Sequence, residues 1–173
     1  MMREELITEI RKYRCSDLSD GMDALGLVDR GTMAETMRPI RPGIRGGVWG
    51  SEIAMTMMEK GIEGAVIDGG CRDSYEANLE NAPVFCTRRT FTHAYGRVER
   101  GAIGVPVECA GVTVRPGDII CADDDGVLVI PIEYAEDVIQ YARTQLEDDI
   151  VVRTKHYENL GYEPDATLER LKD

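Results

Sequence analysis

Arg72 and Asp73 stand side by side after the apolar run 64–68 and the glycine pair Gly69-Gly70, in the stretch GAVIDGGCRDSYEANLEN. An arginine offers a planar fork to a carboxylate, and an aspartate is a hard oxygen ligand for a divalent cation. Glycines just before them let a backbone approach a ligand closely. A short strand leading into this group places it where ligands gather in α/β folds, beyond the carboxyl end of a strand. The same letters admit a plainer role. Asp73 and Glu76 have the spacing of a capping box opening a helix at DSYE, with Arg72 a solvated loop charge. Spacing alone leaves both open.

Two other groups compete for attention. Gly50, Ser51, Glu52 and Ile53 open a helical pattern, and free N–H groups at a helix N-terminus can hold a carboxylate or phosphate. Asp123, Asp124, Asp125 and Gly126 set three carboxylates together, though Asp-Gly between β runs is first of all a turn. Other chemistries lack their residues. His93 and His156 are the only histidines and have no partner at metal-ligand spacing. The lysines, Lys12, Lys60, Lys155 and Lys172, lie in polar helical or terminal stretches, which disfavours a buried Schiff-base amine. No glycine-rich nucleotide loop is present. Cys71 neighbours Arg72 and reads as a buried thiol, and Met55, Met57 and Met58 read as core or interface filling.

The elements that must position these residues are legible in outline. Residues 3–14 have helical spacing, and residues 15–26 form a second helix that Ser16 or Ser19 can cap and Gly26 can end. The segment RPIRPGIRGGVWG is loop with room for one strand. Residues 51–61 form a helix capped by Ser51, GAVID a strand, DSYEANLEN a helix and PVFCTR a strand. Residues 104–131 read as a β meander and 132–161 as a long helical stretch with room for one break. The result is an α/β chain with a β-rich second half and a helical tail. A chain of 173 residues suits a single domain spanning 1–173, with the tail 132–173 used in oligomer contacts through Val138, Ile139, Ala142, Leu146, Ile150 and Val151.

The net charge of −12 argues against nucleic acid and anionic membranes as partners. No apolar window is long enough to span a bilayer, and the charged N-terminus has no signal core, so a cytoplasmic protein is expected. Five cysteines without CxxC spacing predict reduced thiols.

GAVIDGGCRDSYE, then PVF, then VPVECAGVTVRPGDIICADDDGVLVIP, resemble in order the RraA-like family, over roughly residues 16–131. That family includes 4-hydroxy-4-methyl-2-oxoglutarate aldolases and RraA regulators of RNase E. The resemblance implies a swivelling β/β/α domain, here with a C-terminal helical extension, assembled as a homotrimer or hexamer. It implies a divalent metal, Mg²⁺ or Mn²⁺, held by Asp73 largely through waters. Arg72 would contact substrate oxygens, and the backbone at Gly50, Ser51, Glu52 and Ile53 would hold the carboxylate of a small 2-oxo acid. The implied activity is pyruvate aldolase cleavage of a 4-hydroxy-2-oxo acid, with oxaloacetate decarboxylation at the same site. The alternative is a non-enzymatic regulator of ribonuclease activity. An acidic residue from a neighbouring subunit's C-terminal region often joins such sites; within Glu147-Asp148-Asp149, Asp149, with Glu147 behind it, is the candidate for proton transfer here, and the plainer reading of the run is a solvated helix face. The aldolase branch is marked by an Asp, twenty residues, then Arg-Asp; Ser51 stands at the first position, with Glu52 beside it. Several tens of residues expected between RPIRPGIR and the WG helix are absent, since Gly46 follows Arg45 directly.

Overall fold

The computed structural model describes residues 2–27, 33, 38–39, 47–94 and 101–171, with the side chains of 38, 39 and 47 left aside. The chain gathers into two compact units, one made of Met1–Gly31 with Ile130–Asp173 and one of Thr32–Val129. The junction after Arg45, where the family resemblance expects further residues, lies outside the described residues.

The second unit carries the candidate site. Its main sheet has four strands in the order β1-β4-β3-β2: β1 (Arg38–Pro39), β2 (Gly47–Trp49), β3 (Ala65–Cys71) and β4 (Val84–Arg89). β2, β3 and β4 run parallel, and β1 pairs antiparallel with β4. Parallel neighbours need crossovers, supplied by helices α3 (Ser51–Glu59) and α4 (Ser74–Leu79). Ala54, Cys71, Ala77, Val84 and Cys86 close one apolar cluster, bringing together residues of α3, β3, α4 and β4. Met33, Phe85, Ala110, Val112, Val127 and Val129 close another. The expected meander is present as β5 (Val107–Cys109) paired with β6 (Val112–Val114), and β7 (Ile119–Ala122) paired with β8 (Val127–Ile130). The Asp123–Gly126 segment is the turn between β7 and β8: Asp123 N–H donates to the Gly126 carbonyl at 3.0 Å, and Asp125 N–H to Asp123 Oδ1 at 2.9 Å.

The first unit is helical. α1 (Arg3–Ile10) and α2 (Cys15–Ala24) pack with α5 (Ala135–Leu160), which follows a 3₁₀ turn at Ile132–Tyr134 and runs 26 residues without a break. Ser16 and Ser19 do not cap α2; they lie inside it. Its start is fixed by Asp17, fully buried, which accepts the Arg14 backbone N–H at 2.8 Å and the Arg14 guanidinium. Gly26 ends the helix as expected, with φ of 73°. The apolar stripe assigned to oligomer contacts is largely consumed inside this unit: Val138, Ile139, Ala142 and Leu146 are buried, while Val151 is exposed. Among the described residues, no helix is long and apolar enough to cross a membrane.

Candidate active site

β2 and β3 end side by side, Trp49 opposite Cys71, so the two loops leaving their carboxyl ends must meet. One loop starts α3 and the other starts α4. Gly50, not Ser51, is the N-cap of α3; its extended backbone turns the chain so that Ser51 is the first helical residue. Arg72 N–H donates to the Trp49 carbonyl at 2.8 Å, joining the loops at backbone level.

The geometry at Asp73 answers the capping half of the question its spacing left open. It occupies the N-cap position of α4, yet its side chain makes no capping bond there. Its backbone is left-handed, φ 56° and ψ 38°, a region that aspartate and asparagine tolerate better than most residues. In that conformation the carboxylate faces the other helix. Oδ2 accepts the Ser51 backbone N–H at 3.3 Å and Arg72 Nε–H at 3.1 Å. The helix dipole of α3 favours negative charge at this end. A Cβ on Gly50 would stand 2.6 Å from Asp73 Oδ2, so only glycine leaves the carboxylate its place.

These residues border a cavity of about 350 Å³, lined by Gly50, Ser51, Glu52, Ile53, Arg72 and Asp73 together with Val48, Trp49, His93 and Ala94. The structure thus brings together the predicted binding and metal residues, and adds four that the sequence did not single out. His93 and Ala94 follow β4 by only a few residues, and reach the cavity because β4 lies next to β3 in the sheet. Trp49 carries a buried indole N–H with no partner among the described residues. Arg88 and Arg89 pair in register with Gly70 and Cys71, adding positive charge at the same end of the sheet. Arg89 Nε and Nη2 are buried and likewise unpartnered among the described residues, and burial lowers the pKa of this side chain. Cys71 is fully buried, and its hydrogen bond with Cys86, together with burial, pushes its thiol above the ordinary value; it is not a nucleophile for this cavity. All five cysteines are free thiols.

A hydrated divalent cation asks for one or two carboxylates and keeps several waters. Asp73 fits this demand. It is about one-third exposed, and only its Oδ2 is engaged, leaving Oδ1 without a hydrogen bond among the described residues. No group of three His, Cys, Asp or Glu side chains forms a closed metal cage among the described residues. A cation here would be held by one carboxylate and water.

Asp149 lies in the other unit. Its Oδ2 pairs with Arg14 Nη2 at 2.6 Å, and Gln145 Nε2 is 3.5 Å from its Oδ1.

The sequence profile of the RraA-like family, described as Aldolase/RraA, matches residues 41–129. The chain belongs to the RraA-like family. Among curated RraA-like relatives, a Halalkalibacterium halodurans protein provisionally named a 4-hydroxy-4-methyl-2-oxoglutarate aldolase is 45% identical over 89 residues, 51% of this chain and 42% of that protein. A 4-hydroxy-4-methyl-2-oxoglutarate aldolase of Thermus thermophilus is 34% identical over 89 residues, 51% of this chain and 53% of that enzyme. The chain spans about half the length of the curated relatives it matches. In structure it is similar to Streptomyces coelicolor RraAS2, described as an unusual member of the RNase ES inhibitor RraA protein family. The TM-score is 0.76 at 21% identity, covering 86% of this chain and 96% of that one. At that identity the likeness establishes the RraA-like α/β fold and nothing further.

Proposed function

We propose that this RraA-like chain is a divalent-metal-dependent aldolase that cleaves a 4-hydroxy-2-oxo acid to pyruvate and also decarboxylates oxaloacetate. The observation that carries the reading is the orientation of Asp73: its carboxylate turns from its own helix to meet Arg72 and the first turn of α3 at the edge of a cavity. The arginines around it suit an anionic substrate in a chain that is otherwise acidic.

The chemistry asks for little more. The first turn of a helix leaves its N–H groups without intrahelical acceptors, so the amides of Glu52 and Ile53 are available to the carboxylate of a 2-oxo acid. Either cleavage leaves negative charge on the 2-oxo oxygen of the three-carbon fragment. On this reading Arg72, which lines the cavity, faces that oxygen and stabilises charge that grows in the transition state. Asp73 both holds the Arg72 fork and supplies the carboxylate for Mg²⁺ or Mn²⁺. A divalent cation, when bound, polarises that oxygen as a Lewis acid. Asp149 of a neighbouring copy is assigned the proton transfer. It would have to exchange Arg14 for that role.

We place the protein as a homotrimer or a dimer of trimers. α3 supports assembly, because Met55, Met58 and Ile62 are exposed at helical spacing on it and just beyond its end. The direct test of the activity is pyruvate release from oxaloacetate and from 4-hydroxy-4-methyl-2-oxoglutarate, with and without EDTA. Metal-dependent release is expected. Full activity after exhaustive chelation, or trapping of the enzyme by borohydride, overturns the reading.

Ser51 favours a second reading, because it removes the first carboxylate of the aldolase motif. On that reading the chain is a protein-binding regulator of the RraA kind. A folded protein that releases no pyruvate with any divalent metal would decide for it.

A further inference from the structure

We propose that the helical unit carries a second binding site, for an anion with an apolar body, in the groove between the C-terminal half of α5 and the segment after it. The groove has a volume of about 580 Å³, within the usual range for small-molecule sites. It is built along one face of α5. Leu146, Ile150, Arg153, Tyr157 and Leu160 recur at three- and four-residue steps, and the buried stripe of α5 changes character along this face from aliphatic to cationic. The segment after the helix is tied back against it. Arg153 Nε–H donates to Thr167 Oγ1 at 2.8 Å, Tyr157 O–H donates to Asp165 Oδ2 at 2.8 Å, and the Tyr157 and Tyr162 rings meet edge to face at 5.7 Å.

The charge of the groove is the anomaly. In a chain of net charge −12, the groove gathers several cationic side chains on one face. Arg72 pairs with Asp73, Arg143 with Glu9, and Arg14 with both Asp17 and Asp149. The Arg14–Asp149 pair lies in the groove's wall, and beside it Arg153, His156 and Arg170 line the groove and form no ion pair among the described residues. Asp165 is within electrostatic reach of Arg153, but its two oxygens are taken by Thr167 and Tyr157. The Arg153 guanidinium is held in place by Thr167, by Tyr157 Oη at 3.3 Å and by stacking 5.3 Å from the Tyr157 ring centre. A fork fixed in this way loses little entropy when it meets an anion. Leu146, Ile150 and Leu160 offer the apolar wall. The complement is a carboxylate or phosphate group on a short hydrocarbon body, with the acid head at Arg153 and Arg170.

The test separates head from body with three probes: octanoate, octanol and inorganic phosphate. Titration calorimetry with amide NMR on the full chain should show saturable binding of octanoate, with shifts gathered in residues 146–170. Octanol and phosphate alone should each bind about tenfold more weakly, the worth of one charge-assisted hydrogen bond. Arg153→Gln should weaken octanoate about tenfold as well, leaving octanol unchanged. Because Arg153 also ties the tail, Arg170→Gln, which removes a side chain without a bond among the described residues, isolates the charge and should act in the same direction. The proposal is overturned if octanoate binds no tighter than octanol, or if both variants bind it as the parent does. It is equally overturned if the shifts gather at residues 50–53 and 72–73, which would make octanoate a ligand of the other cavity. Amides 146–170 unperturbed by any probe would mean that a second copy of the chain covers the groove, which also overturns it.

Discussion

Gly50, Arg72 and Asp73 meet at the candidate site so closely that a single added atom on Gly50 would take the place of Asp73 Oδ2. Arg72→Lys keeps the charge but loses the planar fork, and should cost at least about tenfold in pyruvate release, about 1.4 kcal/mol, with an unchanged circular dichroism spectrum. Asp73→Asn keeps the left-handed backbone accessible and should leave the melting temperature nearly unaltered while weakening metal activation. Asp73→Ala should instead destabilise by about 1 kcal/mol, because alanine pays the left-handed strain. Gly50→Ala is the sharper probe: its Cβ would displace Asp73 Oδ2, so activity should fall without loss of fold. The pair Arg72-Asp73 was legible from residue type and position after a strand. Whether Asp73 caps its own helix or faces another was not, because it turns on the backbone angles of Asp73, which turn its carboxylate to the first turn of α3. His93 and Ala94 were illegible for a similar reason: only the strand order brings them to the cavity.

α2 and α5 show the same logic at the level of elements. Gly21 lies where a Cβ would stand 2.6 Å from the Val138 carbonyl oxygen. Gly21→Ala gains about 0.5–1 kcal/mol of helix propensity but must push two backbones apart, at a cost of about 1–3 kcal/mol. The clash wins, and the melting temperature should drop by a few degrees. Asp20, on α2, has its pKa raised by burial and by the carboxylates of Asp17, Asp23 and Asp149. A carboxyl whose folded pKa lies above its unfolded value contributes stability below about pH 3.9 and loses it as pH rises through the raised value. Asp20→Asn should therefore raise the melting temperature at pH 7 and leave it unchanged at pH 3. The order of these helices was legible from apolar spacing. The start of α2 was not, since serines are the commoner caps and here an aspartate inside the helix takes the amide before it.

At the scale of the whole molecule, the sharing of sites between copies can be measured directly. Arg72→Lys and Asp149→Asn are each expected to be inactive alone; mixed and allowed to exchange subunits, they should regain activity, because some assemblies then hold one complete site. Full activity of Asp149→Asn by itself would remove Asp149 from the chemistry. Light scattering at micromolar concentration should give a multiple of the chain mass. The oligomer expectation from sequence rested on α5, because its apolar period is plain, yet that period is spent largely on the chain's own α1 and α2. α3 also carries exposed apolar residues, and its first turn forms part of the cavity. A helix with the candidate site at one end and an exposed apolar flank along its side would link the proposed catalysis to assembly. Specific activity should then fall on dilution and recover with a lag on reconcentration, a signature that no single-chain reading of the site would produce.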